Sequence, residues 1–523
     1  MPKRLMFTDH PPRIDAPDPR RNRMSGVPSI SNPALNRHHG RVLRPGQVAL
    51  SPHTLEPEGT VYRYDKLLID DAVFDNEDQV RQINEAMASV GMQTDLQCEP
   101  GSRRRRCRRV PVALGPGTVP TPVDAWSVLQ SLQGRVGEGQ ADEALLGRVR
   151  LEHLLIAASD NAGPGVGGPE PDSNSLLKPQ GKIPVDLMVP MPRRRLFESL
   201  PGERRIRVAI LDTGVPQEHP AFSIADRSEG GDPFVLVDNE FQRSLVDGAD
   251  PELDPLNSPW DEDMHENPLL GELSSHFGHG TFMAGILRQT SPDVQVYSLR
   301  VMHNDGLAYE QEVVGALEHI ADQAEAAYSG DNEALAVDAV VLSLGYVDEN
   351  PAGEPGGWLA DIIRRLTELG IPVIAAAGNQ ASERPFYPAA FAAQQTYDQA
   401  PVLSVGALNP NGNIAMFSND GPWVSCFATG ASVISTFPPN AHGSLSPYRR
   451  YRTDYAGRYR ESLDPDDFSS GFAVWSGTSF AAPLATSYLA RAMEEIGPVR
   501  PKGASEAIAR SHAALKHIKE GIA

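Results

Sequence analysis

The sequence predicts an α/β protein: a mostly parallel central sheet covered by helices, preceded by a small α+β unit. Two observations carry this reading. Beyond residue 205, helical stretches alternate with near-continuous apolar runs: RVAILD (207–212), VQVYSLRV (294–301), AVVLSLG (339–345), PVIAAAG (372–378) and PVLSVGA (401–407). Strands apolar on both faces belong to parallel sheets buried on both sides. Earlier, between 58 and 158, the pattern runs β-α-β-β-α-β. A chain of 523 residues is also too long for one hydrophobic core.

Residues 1–57 read as a basic, Pro-rich arm. The first 50 hold nine Lys or Arg, three Asp and eight Pro. So little apolar surface does not offset the entropy of ordering, and the arm is expected to be disordered. In residues 58–158 we expect strands at 61–69, near 94–97, at 109–114 and at 149–157, with helices at 77–89 and 123–132. That order predicts a ferredoxin-like domain. The run RRRRCRR (103–109) reads as a solvated hairpin loop, with a basic processing site or an anion patch as alternatives. Residues 159–184 are rich in Gly, Pro and Ser and read as a linker. The large unit spans 185–497, and 498–523 reads as a C-terminal helical extension.

Charge and cysteine usage narrow the function classes. Lys and Arg total 47 against 68 Asp and Glu, a formal charge of −21. Such a surface disfavours nucleic acid and anionic membranes as partners. No run approaches the roughly 18 apolar residues of a membrane span. The basic start lacks the apolar core, about 7–15 residues long, of a secretory signal. Cys98, Cys107 and Cys426 form no disulfide framework and read as free thiols. A cytoplasmic location is the expectation, with unconventional secretion as the alternative.

Three segments carry chemistry. Asp212 closes an apolar strand and precedes Thr213-Gly214, at the carboxyl edge where open α/β sheets place their sites. Alone, Asp-Thr-Gly also marks aspartic proteases and ordinary turns. His279 lies between Gly278 and Gly280 at a helix start, so its imidazole is presented with little bulk beside it. Alone, a loop or core histidine fits as well. Ser479, in Gly477-Thr478-Ser479-Phe480-Ala481-Ala482-Pro483, opens a helix whose free N–H groups can steady an oxyanion. Alone, it reads as a cap. Together they supply the parts of a charge-assisted nucleophile.

In residue type and chain order the three segments resemble the Asp, His and Ser signatures of the subtilisin-like (subtilase, S8) serine peptidases. The resemblance covers roughly 205–495. It implies a subtilisin-like three-layer fold and a serine endopeptidase working through an acyl-enzyme on Ser479. His279 would be the general base and Asp212 its orienting carboxylate. Asn379, in Ala376-Ala377-Gly378-Asn379, matches the oxyanion-hole asparagine of the family. Ser343-Leu344-Gly345 resembles the substrate-binding strand, with Gly345 giving a peptide backbone close approach. Ala377 and Gly378 would line the pocket beside it. Such catalysis requires no cofactor and no metal ligand.

Two long insertions depart from compact family members. Residues 223–275 hold 14 acidic and two basic side chains. They read as a solvated acidic insertion. Structural calcium and a guard against acidic substrates are the alternatives. Residues 438–472 are dense in Tyr and Arg and read as a surface loop paired with that insertion. Residues 58–158 read either as a pro-domain, with self-cleavage between about 156 and 185, or as a permanent accessory domain. The expected partner is a polypeptide substrate, with an activating or regulatory protein beside it. The rival functions are a narrow-specificity processing peptidase under a partner's control, and a catalytically silent peptide-binding scaffold.

Overall fold

The computed structural model describes residues 4–522 except 16–21, 53, 95, 98–105, 118–120, 159–181, 201–203, 224–231, 246–255, 261–263, 268, 332–333, 351–356, 444–446, 448 and 498–499. The arm expected to be disordered is ordered over most of its length. Strand β1 (Leu5–Phe7) lies near its start, and Gly40–Leu43 forms β2. The physical reason is that its few apolar side chains find cores elsewhere. Leu5 is buried in the main core, and Leu43 and Ala34 enter smaller clusters.

The small unit consists of β3 (Thr60–Asp70), α1 (Glu77–Ser89), β4 (Cys107–Pro111), α2 (Ala125–Gly137) and β5 (Val149–Ala157). Strand β3 pairs antiparallel with β2, β4 and β5. Asn76 and Asp124 cap the two helices by accepting from their first free N–H groups. Ile83 and Met87 of α1 and Val128 and Leu132 of α2 share a core with Tyr62, Leu67 and Leu151 of the sheet. The strand expected near 94–97 lies earlier, at Met92–Gln93.

The large unit carries β6 (Arg207–Asp212), β7 (Val235–Val237), α3 (His279–Thr290), β8 (Gln295–Arg300), β9 (Leu307–Tyr309), α4 (Glu310–Tyr328), β10 (Ala339–Leu342) and β11 (Leu344–Gly345). There follow α5 (Trp358–Glu368), β12 (Val373–Ala376), β13 (Val402–Leu408), β14 (Cys426–Thr429), α6 (Thr478–Ile496) and α7 (Ala504–Ile522). Eight strands form the central sheet in the order β1-β14-β13-β12-β10-β6-β8-β7. All neighbours are parallel except β1, which adds antiparallel to the β14 edge. Helix α3 packs on α6, and α4 on α5. Each apolar run of the sequence is thus a central strand.

Two further expectations change. Within the linker, residues 159–181 lie outside the described residues, but Ile183–Pro184 pairs with the strand Phe472–Trp475. Residues 224–231, 246–255, 261–263 and 268 of the acidic insertion also lie outside the described residues. The arginines of 438–472 that form a local pair do so at home: Arg450 bonds Glu461 at 3.2 Å across a small hairpin and lies over Tyr459. Cys107 and Cys426 are buried free thiols, while Cys98 is among the undescribed residues. Among the described residues no helix is long and apolar enough to cross a membrane.

The two units meet along one strand. The first half of β5 pairs with β3, as Val149↔Ile69 and Leu151↔Leu67. Its second half enters the large unit between two rims, Leu154–Ile156 pairing with β9 and Ile156–Ala157 with β11.

Candidate active site

Asp212 sits at the carboxyl end of β6, and His279 is the first residue of α3. The imidazole Nδ1 lies 2.8 and 2.9 Å from the two Asp212 carboxylate oxygens. Asp212 Oδ1 also accepts the Thr213 N–H at 2.8 Å, which fixes the carboxylate plane. Gly280 permits this approach: a Cβ there would stand 2.5 Å from the Gly214 carbonyl oxygen. Both side chains are buried, beneath Trp475 and Phe480, whose ring centroids lie 5.5 and 5.3 Å from that of His279. A buried hydrogen bond to a carboxylate is screened little by solvent.

Ser479 is the second residue of α6, so its N–H is one of the helix donors without an intrahelical acceptor. It donates instead to the carbonyl oxygen of Ala158, at 2.9 Å. Asn379 Nδ2 donates to the same oxygen at 2.7 Å. The Asn379 amide is held in turn by Thr478, whose N–H and hydroxyl both donate to its Oδ1, at 3.0 and 2.9 Å. The Ser479 hydroxyl donates to Ser343 O at 3.3 Å. His279 Nε2 has no hydrogen-bond partner among the described residues.

The end of β5 therefore lies in the cleft as an extended peptide. Ala158 N donates to Ser343 O at 2.8 Å, and Ala157 N to Gly306 O at 2.9 Å. Ser343, Leu344 and Gly345 form one rim, and Leu307, Ala308 and Tyr309 the other. The second rim was not recognised in the sequence, because three residues after a turn carry no periodicity. Gly345 has a different reason from the one expected. A Cβ there would meet the Tyr387 carbonyl oxygen at 2.4 Å, so the glycine admits the neighbouring Tyr346↔Tyr387 bridge rather than the peptide.

Ala377 and Gly378 follow β12 and are buried beneath the site. Gly378 has φ +98°, the left-handed region that favours glycine, and its N–H bonds Thr478 Oγ1 at 3.0 Å. Asn419 secures this turn, donating to Ala377 O and accepting from the N–H groups of Gln380 and Ser382. Lys182 also escaped the sequence reading. Its ammonium donates to Ser274 O and Phe277 O and lies 4.6 Å from the Trp475 ring. Burial holds its pKa well below the usual lysine range.

Basic side chains of the arm and small unit meet carboxylates of the large unit around the cleft. Arg37 and His38 bond Asp305 at 3.1 and 2.7 Å, and Arg106 bonds Glu318 at 3.0 Å. Arg109 lies buried between Glu152 and Glu312. Arg106 and Arg109 are therefore interface groups, and Arg108 pairs with Asp71 inside the small unit, so the described members of the 103–109 run are not a solvated loop. His153 joins Glu310 and Glu349 at 2.8 and 2.7 Å. Ligand atoms of His153, Asp348 and Glu349 lie within 4.8 Å of one another, a spacing that would hold a metal ion. Both ring nitrogens of His153 are already bound to carboxylates, so the doubly protonated ring has no lone pair for a metal.

Comparison with known proteins shows which family the chain resembles. Residues 203–519, more than half the chain, match the model of the subtilase family, peptidase S8. Subtilisin BL of Lederbergia lenta is 27% identical over 250 residues, 46% of this chain and 70% of that protein. Thermitase of Thermoactinomyces vulgaris is 27% identical over 240 residues, 46% of this chain and 68% of that protein. A cold-adapted subtilisin-like serine proteinase covers 58% of this chain and 80% of its own, at 18% identity and a TM-score of 0.36. A lanthipeptide protease covers 60% of this chain and 87% of its own, at 18% identity and a TM-score of 0.38.

Proposed function

The chain belongs to the subtilase family of serine peptidases, and on that premise we propose that it is an endopeptidase restrained by its own residues 1–158 and cut by itself between Ala158 and Ser159. One observation carries the proposal: the Ala158 carbonyl oxygen accepts from Ser479 N–H and Asn379 Nδ2 together. Two donors converging on a carbonyl at a helix N-terminus are what a tetrahedral oxyanion requires.

In this reading Ser479 Oγ swings from Ser343 O toward the unpartnered His279 Nε2, gives up its proton there and attacks the Ala158 carbonyl carbon. Asp212 holds the proton-bearing Nδ1 toward itself and stabilises the imidazolium. His279 then protonates the leaving amine of Ser159, and water, deprotonated by the same imidazole, releases the acyl group from Ser479. Until the strand leaves, β5 fills the cleft and keeps other peptides out.

The test is the intact mass of the purified wild-type chain beside Ser479→Ala. Wild type should appear as two fragments, 1–158 and 159–523, and the variant as one chain. A wild-type chain that stays whole, or a variant cut at the same bond, removes the self-processing reading.

A second reading, narrow processing under a partner's control, is favoured by β1. That strand belongs to the arm but lies in the central sheet of the large unit, with Leu5 in its core. Cutting at Ala158 leaves this attachment intact, so restraint outlasts the cut and a partner is needed to lift it.

A further inference from the structure

The strand in the cleft also reports what the cleft accepts far from the bond. Counting back from Ala158, His153 is the sixth residue. Its imidazole is 1% exposed, stacks on Tyr346 at a centroid distance of 4.3 Å, and bonds Glu310 Oε2 and Glu349 Oε2 through its two ring nitrogens. Tyr346, Glu310 and Glu349 all belong to the large unit, so the pocket stays with the peptidase when the strand departs.

The cations acting on Glu349 are His153 and Arg150, both on β5. The neighbouring Asp348 is 7% exposed, its Oδ2 has no hydrogen-bond partner among the described residues, and Arg150 lies 3.7 Å from that oxygen. An aromatic floor with two carboxylate walls suits a flat cation, whose N–H groups bond the walls while its face lies on the ring. The surrounding ion pairs follow the same sign. Residues 1–158 carry 21 Lys and Arg against 19 Asp and Glu, a slight positive excess, so the whole negative charge of the chain lies beyond them.

We propose that Glu310, Glu349 and Tyr346 form a specificity subsite for a cationic side chain, His⁺ or Arg, six residues before the cleaved bond, selecting substrates with a basic N-terminal flank. The proposal rests on the reading of Ala158 as the residue before the cut. A carboxylate at that substrate position would join two buried carboxylates. An uncharged side chain would leave both without the cation that hydrogen-bonds them.

Two experiments test it. The first gives the processed full-length enzyme fluorogenic peptides spanning residues 149–166, with His, Arg or Glu at position 153. The His and Arg peptides should exceed the Glu peptide in kcat/KM by about 10²-fold, and Glu349→Arg should reverse the order. Equal values for all three, or an order unchanged by Glu349→Arg, overturns the subsite.

The second needs no catalysis. In the full chain carrying Ser479→Ala, amide exchange of 153–158 is followed by mass spectrometry. His153→Glu should remove protection, His153→Arg should keep it, and Glu349→Arg added to His153→Glu should restore it. A merely structural role for His153 would not give that rescue. Unchanged protection in His153→Glu, or failed rescue, overturns the proposal. An enzyme that cuts none of the peptides defeats the peptidase reading instead, and the exchange result then decides the subsite alone.

Discussion

The side-chain amide of Asn379 lies 2.7 Å from the carbonyl oxygen of Ala158, a residue 221 positions earlier in the chain. The contact joins the last residue of the small unit to the turn that follows β12. It makes the chain's own strand a resident peptide in the cleft, and several expectations rest on it.

Asn379→Ala removes one of the two principal donors to that oxygen while leaving Ser479 N–H in place. Self-cleavage at Ala158 should slow by about 10²–10³-fold. Single-turnover appearance of the 1–158 fragment measures this, and an unchanged rate removes Asn379 from the oxyanion site.

Arg109 is a buried cation between Glu152 and Glu312, and those carboxylates raise its pKa well above the usual arginine range against the opposing effect of burial. Arg109→Ala leaves Glu312 buried without this partner and Glu152 with Arg63 at 3.3 Å, at a cost of about 3–5 kcal/mol. Thermal unfolding of the Ser479→Ala chain should show an earlier first transition. Lys at this position should recover only part of the loss, since one ammonium does not bond both carboxylates in the arginine's forked geometry. No movement of the transition would mean that the triad does not hold the units together.

Leu5 is 3% exposed, and β1 pairs with β14 as Leu5↔Ala428, Met6↔Phe427 and Phe7↔Cys426. A Ser479→Ala chain nicked within 159–181 at an inserted site for another protease should therefore keep its N-terminal fragment on gel filtration. Leu5→Asp forfeits one buried leucine, about 1.5–3 kcal/mol, and should weaken retention about 10- to 10²-fold. Loss of the fragment from the unsubstituted nicked chain would show that β1 is no anchor.

The His153 cluster gives docking a pH dependence. Burial lowers the His153 pKa, but Glu349 and Glu310 outweigh it and raise it to about 10. A raised histidine stabilises fully below its free value of about 6.5, and that contribution is lost as pH climbs through about 10. Glu349 is opposed by burial but lowered to about 2 by His153, so its contribution is present above about 4.5 and lost as pH falls toward 2. Asp348 is raised to about 6 by burial and by Glu349, so its penalty is complete just above that pH. Arg150, the remaining charge in the cluster, stays cationic throughout. Retention of the nicked fragment should therefore weaken from about pH 6.5 to 10, and His153→Arg should flatten that slope. A flat profile in the unsubstituted chain would contradict the assignment.

Much of the fold was legible in the chain because parallel strands buried on both faces are apolar along their whole length. The runs holding Val208–Leu211, Val340–Leu342 and Val373–Ala376 announce themselves in that way. Asp212, His279 and Ser479 were legible because each stands in a local setting of small residues that must present a side chain. The arm was misjudged because its composition favours disorder only when the chain has no surface to meet. Leu5 finds an open sheet edge more than 400 residues away, a fact no local window contains. Arg109 looked solvated for the same reason, since its partner Glu312 lies 203 positions further on.

The sequence by itself determined the alternating α/β pattern and singled out Asp212, His279 and Ser479 by their local settings. These depend on side-chain type and on periodicities spanning a few residues. Only the tertiary structure decided that Ala158 lies beneath Asn379 and Ser479, that His153 fills a carboxylate pocket, and that β1 fastens the arm to the central sheet. Those relationships are set by the closing of long loops and the matching of buried charge across units, and distance in space has no counterpart in the order of residues along the chain.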